Sequence, residues 1–172
     1  MTLPEIKART GLEPEEVTRA LASFVRTIVA GNSPYDRYTN GKPAALSAQA
    51  KLGLAVFRGK GHCISCHAGP NLTDERLHNT GVAFIDGKLA DLGAGRGDFK
   101  VPTLREIART APYMHDGSLA TLADVVDYYD RGGNPNPDLD QDLRPLHLTS
   151  PEKIALVAFL RSLSGSIREG KL

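Results

Sequence analysis

Between Pro14 and Ala30 the apolar residues Val17, Ala20, Leu21, Phe24 and Ile28 keep a 3.6-residue period, which gathers them on one stripe of an amphipathic helix. Pro14 suits the first helical position and Gly31 the stop. Glu15 and Arg19 pair one turn apart. The run that follows, "GNSPYDRYTNGKP", is crowded with turn formers and reads as a connector. Ser47 is a suitable N-cap for a second helix to about Phe57. Residues 68–101 keep no period and carry glycines at 69, 81, 87, 93, 95 and 97, so they read as one long irregular loop. A loop of that length is usually functional. A short helix is expected from Leu104 to Thr110, between Pro102 and Pro112, and another from Thr121 to near Gly132. In the latter, Leu122, Val125, Val126 and Tyr129 share one face, while Asp124, Asp127, Tyr128 and Arg131 fall on the other. That pattern predicts Tyr129 inward and Tyr128 outward. A last helix starts at Ser150-Pro151 and ends at Gly165. Strands are few or absent, and the fold class is mostly α. Residues 1–42 form an N-terminal helix with its connector, and 43–172 form the main domain.

Composition adds little to this picture. The 172 residues are one domain's worth with a short appendage, 41% hydrophobic and 24% charged, as in ordinary globular chains. With 21 basic and 20 acidic residues the net charge is +1, which argues against a nucleic-acid partner. No apolar run reaches the roughly 20 residues of a membrane span. The opening Met1-Thr-Leu-Pro-Glu lacks the basic and apolar regions of a secretion signal. Either the chain works in the cytoplasm or such a signal has been removed.

Chemistry concentrates in "KGHCISCHAGPNL", residues 60–72, which holds both cysteines. Cys63-Ile64-Ser65-Cys66-His67 is C-x-x-C-H, the attachment pattern of c-type haem. Two thiols one turn apart can add to the two haem vinyl groups, and the adjacent imidazole then faces the iron as proximal ligand. A thioredoxin-like pair would want a βαβ context. A zinc site needs four ligands and no second cysteine pair exists. A disulfide across two intervening residues would constrain almost nothing. Covalent haem therefore fits better than these three, and it explains the aperiodic segment as a wrapping for a flat macrocycle. Attachment of haem c occurs outside the bacterial cytoplasm, which favours a periplasmic location and a removed signal. The carbonyl of Pro70, three residues on, is a candidate partner for the outer N–H of His67; a plain loop turn is the alternative.

For the opposite face of the iron, Met114 is the only methionine besides Met1. His62 stands too near Cys63 to reach that face, which leaves His78, His115 and His147. Tyr129 is the other candidate. A phenol on the inner stripe of a helix needs a polar partner, either a carbonyl, as in an ordinary core tyrosine, or a metal cation that favours its ionised form.

The segment "FKVPTLREIARTAPYMHDGSLATLADVVDYYDRGG", residues 99–133, resembles the C-terminal haem domain of the bacterial di-haem cytochrome c peroxidases. It is more similar still to their methylamine dehydrogenase maturation relatives, the MauG type. "ALASFVRTIVAGNSPYDRY", "GLAVFRGKGHCISCHAGPNLTD" and "LTSPEKIALVAFLRSL" fit the same family, so the likeness runs from about residue 12 to the C-terminus. It implies a cytochrome c-like haem domain with an N-terminal helical extension. It also implies a haem that transfers electrons with two axial ligands. Counted from His115-Asp116-Gly117, the peroxidases' distal methionine falls on Tyr129, where the maturation-type relatives have an iron-ligating tyrosine. Met114 falls where relatives place an apolar residue and is the runner-up. Arg105 is a candidate for a haem propionate, with a surface salt bridge as the alternative. The family's calcium-ligating carbonyls fall on Thr110 and Pro112, but a third ligand comes from the other domain, which counts against calcium here.

The departure is that this sequence has one CxxCH and no peroxidatic domain. The expected function is single-haem electron transfer, with small redox proteins or a second haem domain as partners. The alternatives are a peroxidase or oxidase acting on hydrogen peroxide with a partner domain, or an excised half of such an enzyme. The apolar stripe of 14–30 would then meet the absent domain or a second copy of the chain.

Overall fold

A computed structural model describes residues 3–168. In chain order the elements begin α1 (Leu3–Thr10), α2 (Pro14–Thr27), β1 (Val29–Gly31), α3 (Pro34–Thr39) and α4 (Ala48–Arg58). Next come β2 (Leu77–His78), β3 (Phe84–Ile85), β4 (Lys88–Leu89), β5 (Phe99–Lys100), α5 (Leu122–Asp130), α6 (Ser150–Arg161) and β6 (Ser166–Arg168). The fold is mostly α, as the periodicity predicts, and the strands are two or three residues long. Two compact units divide the chain. One takes residues 3–31 and 166–168, the other Asn32–Gly165.

In the smaller unit, α2 stops at Thr27, short of the expected Ala30. Ile28 turns extended (φ −82°, ψ 99°), and β1 pairs antiparallel with β6, Val29 opposite Arg168 and Gly31 opposite Ser166. A strand partner far along the chain outcompetes three more residues of helix. No residue of α1 or α2 is buried. Leu21, Phe24 and Ile28 of the apolar stripe are 60%, 45% and 43% exposed.

The larger unit is organised by α4 and α6. Ser47 caps α4 through the Ala50 N–H (3.1 Å), and Thr149 with Glu152 caps α6. Leu46, Ala50, Leu54 and Phe57 meet Leu156, Phe159, Leu160 and Leu163, with Phe159 and Leu163 wholly buried. Gly53 lets the helices touch: a Cβ there would lie 1.9 Å from the Ala155 carbonyl oxygen. Phe159 is gripped by Phe57 (centroids 5.0 Å apart) and, edge-on, by Tyr35 (5.4 Å). Tyr35 belongs to α3, a helix inside the expected connector. Ser33 accepts from the Asp36 N–H (3.1 Å) and Asp36 from the Ser33 N–H (2.9 Å), so "SPYD" starts a helix with the same residues that signal a turn. The two units part after Gly31; the boundary expected from the helix and its turn-rich connector lies at 42–43.

The remaining expectations shift by a turn or less. The helix expected over 104–110 contracts to a 3-10 turn, Ile107–Arg109, and α6 ends at Arg161 rather than Gly165. The long loop gains two small pairings, β2 with β5 and β3 with β4. One expectation is overturned. Tyr128 does not face outward; it is 3% exposed. Helix α5 is covered on two sides, so a one-stripe pattern misassigns the second buried face.

Candidate functional site

Helix α4 ends at Gly59, and the chain folds back tightly at Gly61, whose N–H reaches the Val56 carbonyl (2.8 Å). A Cβ at Gly61 would stand 2.9 Å from that carbonyl oxygen and 3.3 Å from the Cys63 Sγ. A single 3-10 turn, Cys63–Ser65, follows, and the His67 N–H closes on the Cys63 carbonyl (2.9 Å). One turn thus projects two free thiols and an imidazole. All three line a cavity of about 630 Å³, whose walls include Val82, Leu104, Ile107, Val125 and Leu146. A recess of about 60 Å³ is lined by Cys63, His67 and Tyr129 together with Phe57, Leu156 and Leu160 of the core.

The His67 ring is fixed from behind. Its Nδ1 lies 2.9 Å from the Leu72 carbonyl. A carbonyl can only accept, so Nδ1 carries the proton and Nε2 keeps its lone pair, the form a metal ligand requires. Burial lowers the His67 pKa and favours this neutral state. The expected partner, Pro70, is instead held by Arg105, whose Nε (2.9 Å) and Nη2 (2.6 Å) both donate to its carbonyl. Leu72, not Pro70, reaches the ring because its left-handed backbone (φ 53°) ends the turn. Burial pushes the Cys63 thiol up to about 12 and raises that of Cys66 less far, which keeps both protonated.

Tyr129 lies on the same cavity, half-buried on α5, and its hydroxyl makes no hydrogen bond among the described residues. Burial raises its pKa, and Tyr128 and the two thiols add to the effect. The carbonyl partner of an ordinary core tyrosine is thus missing. Met114, in a left-handed turn (φ 69°), also lines the larger cavity, as do Thr110 and Pro112. Arg105 does not. Its guanidinium is committed to Pro70 and to the carboxylate of Asp36, a bridge within the fold, and the basic side chains on the cavity wall are Lys100 and Arg144.

The histidines separate cleanly. His62 meets Arg144 (Nε2 to Nη2, 2.8 Å). His115 stacks on Phe99, with centroids 3.7 Å apart. His147 is exposed and off the cavity. His78 sits beside Cys66 with both ring nitrogens on carboxylates, Nε2 to Asp74 (2.9 Å) and Nδ1 to Asp140. Burial opposes charge on His78, but the two carboxylates outweigh it and its pKa is raised. Sequence reasoning missed this cluster, because Asp140 lies 62 residues away and no periodic signal joins them.

No family model matches the chain. It is 41% identical over 153 residues to the methylamine utilization protein MauG of Methylorubrum extorquens, covering 86% of this chain and 43% of that one. It is 37% identical over 185 residues to the cytochrome-c peroxidase IdrP1 of Pseudomonas sp. (strain SCT), covering 86% and 49%. This chain belongs to the MauG and cytochrome c peroxidase family. Among solved structures, a MauG-like protein associated with microbial copper homeostasis superimposes with a TM-score of 0.68 at 33% identity, covering 78% of this chain and 52% of that chain. The chain spans about half the length of the curated relatives it matches. A diheme peroxidase from Burkholderia thailandensis is a further structural neighbour (TM-score 0.59, 25% identity, covering 77% of this chain and 46% of that chain), and the residues here fit a haem. An apolar cavity carries two thiols and an imidazole lone pair, together with a phenol whose hydroxyl makes no hydrogen bond among the described residues.

Proposed function

We propose that this chain is the electron-transfer haem domain of a MauG- or peroxidase-type protein and holds one haem c. In this reading Cys63 and Cys66 make the thioether bonds, His67 is the proximal ligand and Tyr129 the distal one. The unpartnered Tyr129 hydroxyl, on the cavity that also holds His67 and Cys63, carries the proposal. Bound there, the haem supplies a one-electron couple whose potential its axial ligands set. The Leu72 carbonyl fixes the His67 tautomer, and the apolar walls exclude water. Tyr129 must give up its proton against a raised pKa, so it ionises only where a metal cation compensates. A phenolate in that place favours the higher oxidation state and a low potential, whereas Met114 would favour a high one.

A second reading keeps the same site within an enzyme. The matched relatives include proteins named peroxidases and are about twice as long, so a second haem domain would meet peroxide and this one would relay electrons from small redox proteins. The apolar stripe of α2 would face that domain or a second copy of the chain. Haem c attachment, if it occurs at Cys63 and Cys66, would require either version to mature in the periplasm. A calcium ion bridging Thr110 and Pro112 would need ligands from that other domain.

Spectra of the oxidised protein test the assignment. A low-spin signal without the near-infrared thioether-to-iron band is expected. Tyr129→Phe should become high-spin and Met114→Leu should not; a Tyr129→Phe protein that stays low-spin overturns the tyrosine assignment. Peroxide turnover by the isolated chain with an electron donor would favour the enzyme reading.

A further inference from the structure

Tyr128 and Tyr129 are chain neighbours on α5, and their rings meet edge to face, centroids 5.7 Å apart and 89° between planes. Only Tyr129 lines the cavity. Tyr128 is turned the other way, and its hydroxyl uses both capacities, donating to the Thr80 carbonyl (2.8 Å) and accepting from the Asn134 N–H (3.2 Å). The Arg131 guanidinium covers its ring at 4.7 Å. Thr80 lies two residues beyond His78, on the loop that borders the cavity, and Asn134 follows the end of α5. These two segments cross almost in backbone contact. A Cβ at Gly81 would lie 2.3 Å from the Asn134 carbonyl oxygen, and one at Gly133 2.5 Å from that of Thr80. The Gly133 N–H returns to the Tyr128 carbonyl (3.1 Å) and the Gly132 N–H to that of Tyr129 (3.0 Å), which ties the helix end to the same crossing.

Successive helix residues point about 100° apart, so a side chain tied at one position fixes the bearing of the next. Rotating α5 enough to swing Tyr129 out of the cavity would pull the Tyr128 hydroxyl from both partners. We propose that Tyr128 is a positioning residue for the distal ligand: its bridge between Thr80 and Asn134 locks the rotation of α5 and keeps the Tyr129 phenol aimed into the cavity. The role is mechanical. The inference rests on Tyr129 as distal ligand.

The test uses the holoprotein and cyanide as the competing ligand. Tyr128→Phe keeps the ring and deletes the bridge. Haem should remain attached, the high-spin fraction should grow with temperature, and cyanide affinity should rise by up to about thirty-fold, the worth of the two hydrogen bonds lost. Gly133→Ala, which forces the crossing apart, should act in the same direction. Ser33→Ala removes the α3 cap and should lower the unfolding temperature without moving cyanide affinity. In a Tyr129→Phe background, adding Tyr128→Phe should change cyanide affinity no further. If Tyr128→Phe lowers the unfolding temperature but leaves spin state and cyanide affinity at parent values, the residue only fills space and the proposal falls. A Tyr129→Phe protein that stays low-spin would refute the ligand assignment instead, a separate result read from a separate variant.

Discussion

Gly53→Ala should destabilise the protein although alanine is the better helix former. The new Cβ would lie 1.9 Å from the Ala155 carbonyl oxygen, 2.5 Å from its carbon and 2.8 Å from the Phe159 Cβ. To restore ordinary contact the backbone of α6 must retreat by about 1.5 Å. Overpacking a core costs about 1–3 kcal/mol, and with rigid backbone as the obstacle the upper end, about 3 kcal/mol, applies. Replacing glycine inside a helix returns about 1 kcal/mol of propensity. The net loss is about 2 kcal/mol, or about 5–7 °C in unfolding temperature for a domain of this size. Calorimetry of the holoprotein measures it. Gly31→Ala, which has open space around its Cβ and an ordinary φ, is the control and should change little. An unchanged or higher unfolding temperature in Gly53→Ala would mean that propensity outweighs crowding and that the α4–α6 contact is looser than described. The retreat would also disturb the cavity recess, because α6 supplies Leu156 and Leu160 to its wall.

Two further outcomes are expected. Because Asp74 and Asp140 raise the His78 pKa against the opposing effect of burial, its stabilising contribution is complete below about pH 6.5 and is lost as pH rises through the folded-state value. His78→Gln should flatten the fall in unfolding temperature above about pH 6.5, and parallel pH curves for the two proteins would contradict the cluster. If the α2 stripe joins two copies of the chain, light scattering over a concentration series should show a dimer that Phe24→Glu returns to monomer. A parent protein that is monomeric throughout excludes that dimer.

Features that depend on near neighbours in the chain were legible. The single turn from Cys63 to His67 follows from spacing, and Tyr129 falls on the cavity side because the Leu122–Val126 stripe continues to it. Features that depend on how distant loops meet were not. Leu72 rather than Pro70 reaches His67 because one residue adopts a left-handed backbone, which leucine gives no reason to expect. Tyr128 lies on the polar side of its helix by pattern, yet a loop about fifty residues earlier in the chain covers that side. Arg105 was legible as a candidate for a haem propionate or a surface salt bridge, but not as the residue that holds Pro70 and Asp36 together. Helix α3 was masked because a proline after a serine starts turns and helices equally well.

The pairing of Gly31 with Ser166 has a consequence for how such a domain can be used. Gly31 and Ser166, which precede and follow Asn32–Gly165 in the chain, are paired neighbours, so the segment between them begins and ends at one place. Closing a long loop costs only slowly more as it lengthens, about 0.6 kcal/mol per doubling, so a short strand pairing is enough to bring the ends of so long a segment together. A segment whose two ends are adjacent can be grafted into another chain at one point of its surface, and the turns that build its cavity need not be redesigned for the new context.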